Sequence, residues 1–319
     1  MDPEQVTRGT VASSSSSLIF LDTGCSGALP DARCLIQPST PPCAVCSMAL
    51  SLPPDLNPNY RCNTSLLVDY RHDDGTHKYI LIDVGKTFRE QVIRWFVRHK
   101  VPSIDSIILT HEHADAVLGL DDLWMVQPSC HGNDIEQIPI FLTKFTMDRF
   151  PNLVEQNLNE GDEVSRAAQL SWTIIEADIV KPFVSSGLEF VPLPVMHGED
   201  YVCLGFLFGR RAKVAYLSDV SRILPRTEHE ISKSGAGQLD LLILDTNELH
   251  GVGNARSCHL TLSQSLDAVK RICPKKALLI GMNHELEHDR ENQMLAEWSL
   301  REGIPVQLAH DGQRIFIDL

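Results

Sequence analysis

Short apolar runs, separated by polar or Gly- and Pro-containing segments, occupy most of this chain. Twelve of these runs have the length of strands and are rich in Val, Ile, Leu or Phe. They cover residues 17–21, 65–69, 79–83, 106–109, 138–142, 170–175, 189–193, 203–208, 214–217, 239–244, 277–280 and 313–317. Three longer stretches repeat apolar residues at helical spacing, at residues 88–99, 262–273 and 291–302.

Strands dominate this pattern, and the helix-like stretches lie between some of them, late in each half of the chain. Sheets bury one face against a second layer, and amphipathic helices cover what remains. The pattern therefore predicts an α/β protein in which two sheets pack face to face with helices outside. This is a four-layer αβ/βα sandwich rather than a Rossmann fold.

The chain has 319 residues, of which 43% are hydrophobic and 22% are charged. This composition fits a globular protein with one large domain or two smaller ones. No apolar run approaches the ~20 residues that a membrane-spanning helix needs. Residues 1–17 contain a run of five Ser and lack the apolar core of a secretory signal. We therefore predict a disordered tail over residues 1–17, one domain over residues 18–319, and a cytoplasmic protein.

The formal net charge of −14 narrows the range of partners. A broad acidic surface repels phosphate backbones, which disfavours nucleic acid as a partner. A small anionic substrate remains compatible with this charge, because a bound metal supplies positive charge locally.

The sequence His111-Glu112-His113-Ala114-Asp115 directly follows a buried apolar run. In extended backbone, side chains two residues apart point the same way, so the two imidazoles can bind one divalent metal. Asp115 can bind a second metal or orient a metal-bound water. The pentad predicts a metal site at the end of a strand.

Three other predicted strands end in a possible ligand or a supporting carboxylate, at His197, Asp219 and Asp83. His111, His113, His197 and Asp219 together offer three neutral nitrogens and one anionic oxygen, a set that suits Zn²⁺ or Mn²⁺ and less commonly Fe²⁺. Such a metal lowers the pKa of a bound water. Asp83 either holds a ligand imidazole in one tautomer or is a turn residue before Gly85.

A Cys- and Pro-rich loop at about residues 33–62 contains the pair Cys43 and Cys46, with Cys34 and Cys25 close by in the sequence. A loop of this length needs something to order it, and a metal clip would do so. A redox pair is the other interpretation of the C-x-x-C spacing. Prolines, rather than a strand-to-helix junction, surround the pair, which disfavours that interpretation.

At this point the sequence resembles the metallo-β-lactamase superfamily, whose motif is His-x-His-x-Asp-His followed by a His, an Asp and a final His at later strand ends. The segments that carry the resemblance are THEHADAVLGL at residues 110–120, PLPVMHG at 192–198 and LSDV at 217–220. Within the superfamily the chain looks most like the phosphoribosyl cyclic-phosphate phosphodiesterase branch. The segments TGCSGALPDARC at 23–34 and PKKALLIGMNHELEH at 274–288 carry that placement.

The resemblance implies a metallo-β-lactamase sandwich and a hydrolase in which a metal-bound hydroxide attacks a small cyclic or diester phosphate. It implies a structural zinc site formed by Cys34, Cys43, Cys46 and His284. We expect Cys25 to be a bystander to this site, with replacement of Cys34 as its alternative role. It also implies that His259 is the general acid for the leaving oxygen, a task that suits an imidazole; a surface His before a helix is the other interpretation. Asp115 would act as a base or orient the attacking water.

The chain departs from the family pattern at Ala116 and, in a gap-free alignment, at Gly281. Both positions carry His in the family and serve the second metal, so we expect one tightly bound catalytic metal and a weak or empty second position. In the competing alignment, His284 turns to the second metal and His288 completes the cysteine site.

Three other functions remain open on the sequence alone. A mononuclear hydrolase of thioesters or lactones would need only the first metal site, and a mononuclear iron enzyme would use the same four ligands. A non-catalytic metal-binding relative could keep the fold and the cysteine zinc. The expected partner is a small phosphate-containing molecule, and a second copy of the chain, forming a homodimer, is a further candidate.

Overall fold

The computed structural model describes residues 15–128, 136–149, 168–250 and 258–319. Each of the twelve predicted runs coincides with a strand. The strands are β1 (Ser17–Asp22), β2 (Ser65–Arg71), β3 (His77–Ile82), β4 (Ser106–Ile108), β5 (Ile138–Thr143), β6 (Leu170–Ile175), β7 (Phe183–Ser185), β8 (Leu188–Met196), β9 (Val202–Phe208), β10 (Val214–Leu217), β11 (Arg222–Ile223), β12 (Leu241–Asp245), β13 (Ala277–Ile280), β14 (Val306–Leu308) and β15 (Arg314–Phe316).

The strands form two sheets that are each part antiparallel and part parallel. The first sheet has the order β15-β1-β2-β3-β4-β5-β6, and β3 to β6 run parallel. The second has the order β11-β8-β9-β10-β12-β13-β14, with β7 paired to β8, and β10, β12, β13 and β14 run parallel. Since the ends of neighbouring parallel strands meet at one edge of a sheet, the residues that follow β10 and β12 can share a site, and the residues after β4 join it only through the packing of the first sheet on the second.

Three clusters of buried apolar residues account for the layers. The central cluster joins the inner faces of both sheets, with Phe20 and Ile80 from the first sheet and Phe206 and Ile243 from the second. A second cluster lies between the first sheet and its helices, and a third between the second sheet and its helices. The predicted four-layer α/β sandwich is confirmed.

Nine α-helices are described, together with two 3₁₀ turns and one π-helical turn. They are α1 (Ala32–Ile36), α2 (Ala44–Ala49), α3 (Phe88–Gln91), α4 (Val97–His99), α5 (Ala114–Val117), α6 (Lys144–Met147), α7 (Pro225–Ile231), α8 (Leu262–Ile272), α9 (His288–Glu302), the 3₁₀ turns Pro54–Leu56 and Leu120–Met125, and the π turn Val92–Phe96. The start of α8 is fixed by a capping box between Thr261 and Gln264, and α9 ends at Gly303 in the left-handed conformation.

The structure differs from the predicted elements mainly in the short ones. The helix predicted over residues 88–99 is interrupted by the π turn, and Trp95 and Phe96 in that turn are both buried. The short strands β7, β11 and β14 were not predicted, because two or three residues carry no readable periodicity. The predicted tail over residues 1–17 falls mostly outside the described ranges, although Ser17 already belongs to β1. No helix in the described ranges is both long and apolar enough to cross a membrane.

Candidate metal centre

The orientation of His111 is set by a relay that begins on the neighbouring strand. Asp83 follows β3 with a left-handed backbone (φ 65°), and its two oxygens accept hydrogen bonds of 2.8 Å from the amide and the hydroxyl of Thr110. That hydroxyl also lies 2.8 Å from His111 Nδ1. Because the hydroxyl proton is donated to Asp83, Nδ1 must be the donor to the hydroxyl oxygen. His111 Nε2 is therefore left as the acceptor that a metal would use.

Three imidazoles, here called the histidine cluster (His111, His113 and His197), converge at this point. One ring nitrogen from each lies within 4.8 Å of the others, and His197 Nε2 is 3.2 Å from His113 Nδ1. His197 Nδ1 donates to the carbonyl of Cys258 at 2.8 Å, which leaves Nε2 as an acceptor. Burial lowers the pKa of His111 to about 4 and also lowers that of His197, so both rings are neutral at pH 7.

Asp219 lies two residues beyond the end of β10, beside the histidine cluster. Its Oδ1 is 4.0 Å from His197 Nε2 and 4.0 Å from His259 Nε2. Burial raises the pKa of Asp219, but the neighbouring imidazoles, first His111, outweigh burial and lower it to about 2. The carboxylate is therefore charged and available as the fourth ligand that the sequence predicts.

His259 is held from behind by a buried carboxylate that the sequence analysis missed. Its Nδ1 donates to Oδ2 of Asp245 at 2.9 Å, and the Asp245 side chain is fully buried at the end of β12. Burial lowers the pKa of His259, yet the Asp245 charge and hydrogen bond raise it to about 10. A signal for Asp245 exists in the sequence, since it directly follows a predicted strand, as the other site carboxylates do.

A small cavity of about 10 Å³ lies beside the histidine cluster, close to the volume of one water-sized sphere. It is lined by polar groups of both sheets, among them Asp115, Asp219, Asp245 and His259. Ala116 and Gly281, the two positions that depart from the family motif, also line it. The structure thus brings Asp115 and His259 to the same cavity as His111 and Asp219, two of the predicted metal ligands.

Gly281 has no room for a side chain. Its backbone is left-handed (φ 80°), and a Cβ there would lie 2.3 Å from Oδ1 of Asp245. That oxygen is buried and has no hydrogen-bond partner among the described residues. The Asp245 carboxylate therefore occupies the space into which a side chain at position 281 would extend.

The second predicted site, here called the cysteine cluster, comprises Cys34, Cys43, Cys46 and His284. One ligand atom from each lies within 4.8 Å of the others, and His284 Nδ1 is 3.1 Å from Cys34 Sγ and 3.5 Å from Cys43 Sγ. Three sulfurs and one nitrogen with this spacing form a closed tetrahedral set. Cys25 is not part of this group.

His288 also lies outside the cysteine cluster. It begins α9, and its Nε2 is 3.0 Å from the side-chain amide of Asn292. The structure therefore favours the gap-free alignment, in which His284 belongs with the cysteines and Gly281 faces the catalytic cavity.

The aromatic residue Tyr201, which lies beside the histidine cluster, was not predicted. The ring of Tyr201 stacks on that of His113, with centroids 5.4 Å apart and planes 12° apart, and its hydroxyl donates a very short hydrogen bond to Glu112. Tyr201 and His197 both come from the turn between β8 and β9. Only that proximity in sequence to His197 could have pointed to Tyr201.

A third group of possible ligands has another explanation. Asp22, Cys62 and Asp311 place ligand atoms within 4.8 Å of one another, and all three are buried. The guanidinium of Arg94 lies 3.8 Å from both carboxylates and 3.7 Å from the Cys62 sulfur. The chain itself supplies the positive charge here, so we assign no metal to this group.

The histidine cluster fits a divalent metal on chemical grounds. His111 Nε2 is buried without a hydrogen-bond partner in the described part of the chain, which would be costly if the nitrogen had no ligand. Two further nitrogens and a charged carboxylate surround the same point. Neutral imidazoles with a single anionic oxygen form a donor set that Zn²⁺ and Mn²⁺ accept.

Comparison with known proteins places the chain in a family. A family model described as a beta-lactamase superfamily domain matches residues 78–282, more than half of the chain. The chain belongs to the metallo-β-lactamase superfamily, close to the PhnP branch, as the motifs predicted. It has the metallo-β-lactamase fold.

Two solved structures and one curated protein are similar to this chain. A diphosphatase from the PhnP family superposes with a TM-score of 0.72 at 27% identity, over 95% of this chain and 98% of that one. Zinc-bound PqqB from Methylobacterium extorquens has a TM-score of 0.66 at 17% identity, over 94% of this chain and 100% of that one. An octanoyltransferase from Porphyromonas gingivalis (strain ATCC BAA-308 / W83) is 27% identical over 306 residues, which are 94% of this chain. The chain spans 51% of that curated relative, about half its length.

Proposed function

We propose that this protein is a hydrolase that cleaves a small cyclic or diester phosphate. It would use one divalent cation at the histidine cluster. The observation that carries the proposal is the convergence of three imidazoles and Asp219 beside the His259–Asp245 pair. The likeness to a diphosphatase of the PhnP family supports a phosphate substrate.

His111, His113, His197 and Asp219 would hold Zn²⁺ or Mn²⁺, with Fe²⁺ as a less common occupant. A cation bound there lowers the pKa of a coordinated water to about 7, which supplies a nucleophile at neutral pH. Asp115 lines the same cavity and would orient the attacking water.

His259 would give its Nε2 proton to the leaving oxygen. Its Nδ1 is held by Asp245 at 2.9 Å, and its Nε2 lies 4.0 Å from Asp219, so the donor faces the reacting side of the site. A buried carboxylate behind an imidazole holds the ring in one orientation and one tautomer. Asp245 is therefore a positioning residue for His259.

The second cation position of the family would be weak or empty in this chain. Ala116 offers no ligand, and the space at Gly281 is taken by Asp245. At the cysteine cluster, a zinc bound by Cys34, Cys43, Cys46 and His284 would order the loop at about residues 33–62, with no position left for substrate.

The test is hydrolysis of bis(4-nitrophenyl) phosphate by Zn²⁺- or Mn²⁺-loaded protein, with metal content measured in the same samples. We expect His259→Gln to lower kcat by about 100-fold with the metal content unchanged, because general-acid catalysis contributes about that factor. His229→Gln, at an exposed position on α7, is the control and should match the wild type.

Two results would count against this proposal. Metal-loaded protein that leaves phosphodiesters intact would reject the activity. Loss of one cation per chain from His259→Gln would make His259 a ligand instead of the acid, an arrangement that its position within 4.8 Å of His197 and Asp219 also allows.

A medium-chain acyl thioester is the second candidate substrate. The observation that favours it is the curated relative named an octanoyltransferase, of which this chain matches about half. The same cation and His259 would serve attack on a thioester carbonyl. Release of thiol from octanoyl-coenzyme A, measured beside phosphodiester hydrolysis, decides between the two substrates.

A further inference from the structure

We propose that Arg149 binds a second phosphate group of the substrate, on the surface side of Tyr201 from the histidine cluster. This inference deepens the proposed function and rests on it, because it assumes that a phosphate ester binds at the histidine cluster. It assigns a specificity-determining role to a residue that lies outside every motif of the sequence.

Arg149 is held on an exposed aromatic ring. Its guanidinium carbon lies 3.9 Å from the ring centroid of Phe145, and the Phe145 residue is 48% exposed. Its Nε donates to Oε1 of Glu112 at 2.9 Å. The Arg149 side chain remains 46% exposed, so a ligand in solvent can reach it.

Fixed contacts connect this guanidinium to the metal ligands. The second oxygen of Glu112 accepts the hydrogen bond from Tyr201, whose ring stacks on His113. Phe145 also contacts Tyr201, with ring centroids 5.7 Å apart. Tyr201, Phe145 and Arg149 thus form one continuous wall of contacting side chains, which runs from the histidine cluster to the protein surface.

The geometry of the pairing leaves Arg149 able to bind an anion. The hydrogen bond to Glu112 is made by Nε, and the terminal nitrogens of the guanidinium carry a further pair of N–H groups of the kind that recognises phosphate. Contacts on Phe145 and Glu112 already restrict the side chain, so little conformational entropy remains to be lost on binding.

The surrounding charges explain why such a residue is useful. The cavity at the metal centre is lined by Asp83, Asp115, Asp219 and Asp245, and the whole chain carries a net charge of −14. The negative charge of a substrate with one phosphate can be balanced by the cation at the histidine cluster. A substrate with a second phosphate needs another positive group nearby, and Arg149 supplies it.

The experiment compares two chromogenic substrates that differ only in a distal phosphate, thymidine 5′-(4-nitrophenyl) phosphate and its 3′-phosphorylated form. With metal-loaded protein, we expect Arg149→Gln to lower kcat/KM by about tenfold or more for the 3′-phosphorylated substrate, mainly through KM. For the substrate without the 3′-phosphate the change should stay within about twofold, and Arg149→Lys should recover part of the loss.

Lys144→Gln is the matched control. Lys144 is a more exposed cation at the start of α6, the short helix that ends two residues before Arg149, and it is paired with Asp148. Its loss should change neither substrate's kinetics. Equal losses for both substrates with Arg149→Gln would overturn the proposal, because they would mean that Arg149 only supports Glu112, Tyr201 and His113.

Calorimetric binding of thymidine 3′,5′-bisphosphate and thymidine 5′-monophosphate separates this inference from the proposed function. A loss of bisphosphate affinity alone in Arg149→Gln supports the Arg149 site even if no substrate is turned over, in which case the proposed activity fails by itself. Unchanged affinity for both nucleotides in Arg149→Gln rejects the Arg149 site whatever the activity.

Discussion

At the scale of single residues, the metal centre depends on groups that never touch a metal. Asp83 turns the chain after β3, and its hydrogen bonds to Thr110 connect it to Nδ1 of His111, so its position is compatible with both functions that the sequence suggested. The sequence could not show that Thr110 stands between the two residues. A hydroxyl in a relay has no signature in composition or periodicity.

Thr110→Val tests this relay. Removing the hydroxyl leaves His111 Nδ1 without an acceptor and leaves one Asp83 oxygen without a donor, so His111 loses its fixed tautomer. We expect the dissociation constant of the catalytic Mn²⁺ to rise about tenfold, in line with other losses behind metal ligands. The measurement is Mn²⁺ titration of protein whose cysteine cluster retains zinc.

The control for Thr110→Val is Thr227→Val. Thr227 is equally buried and donates its hydroxyl to the carbonyl of Pro194, away from the metal centre. Thr227→Val should lower the free energy of unfolding by about 1 kcal/mol without changing the Mn²⁺ affinity. Identical Mn²⁺ affinities for Thr110→Val and the wild type would contradict the relay.

The sequence analysis missed Asp245 because it placed the end of one strand a residue too early. The predicted run at residues 239–244 ends one residue before it, whereas β12 ends at Asp245 itself. Strand boundaries are the least certain part of a periodicity argument, and here one residue separated an apolar strand from a carboxylate of the site.

Gly281→Ala tests whether Asp245 fills the second metal position. A Cβ at residue 281 would approach Asp245 Oδ1 to 2.3 Å, so this variant should displace the carboxylate that holds His259. We expect activity to fall at least tenfold, together with a loss of roughly 2 kcal/mol in the free energy of unfolding. Denaturant titration and kcat measure the two effects.

Gly303→Ala separates backbone strain from the contact with Asp245. Gly303 has a similar positive φ of 72°, but a Cβ there would meet nothing within 4 Å. It should cost only about 1 kcal/mol and leave kcat unchanged. Equal effects at the two positions would mean that Asp245 does not depend on the absence of a side chain at residue 281.

At the scale of elements, the sequence predicts the strands well because alternation and apolar runs report burial directly. All four ligands of the predicted catalytic site lie just beyond β4, β8 or β10, as the strand-end argument required. The contribution of the loops was harder to foresee. Helices α1 and α2 are five and six residues long, and residues of this loop contact His284, about 240 residues later in the chain.

Cys46→Ala tests the structural role of the cysteine cluster. Cys46 is buried in α2, and a zinc that binds only the folded protein stabilises it by its binding free energy. We expect a lower Tm, by roughly 5 °C or more, and the loss of one zinc per chain. Cys273→Ala, at a cysteine outside the cluster, should retain both the zinc and the Tm.

If Cys46→Ala retained all of its zinc, the cysteine cluster would not be a zinc site. Loss of activity without loss of stability would also contradict it, because that pattern would place catalysis at the cysteines. The expected pattern is a less stable protein whose remaining folded fraction still binds the catalytic cation.

At the scale of the whole molecule, the fold gathers segments that are far apart in sequence at one edge of two facing sheets. His113 and His197 are separated by 84 positions, and their ring nitrogens lie 3.2 Å apart. The two residues follow β4 and β8, which belong to different sheets, so the face-to-face packing of the two sheets brings their strand ends together. Strand ends in the sequence do not predict the wall of Tyr201, Phe145 and Arg149, whose members follow different strands without a common pattern.

The binding of a cation at the histidine cluster is tested most directly by metal content. The wild type and His197→Ala are purified, saturated with Zn²⁺ and freed of excess metal, and the zinc per chain is measured. We expect two zinc ions per chain in the wild type and one in His197→Ala, with the remaining zinc at the cysteine cluster. Equal metal content in the two proteins would contradict the claim that the histidine cluster holds a cation.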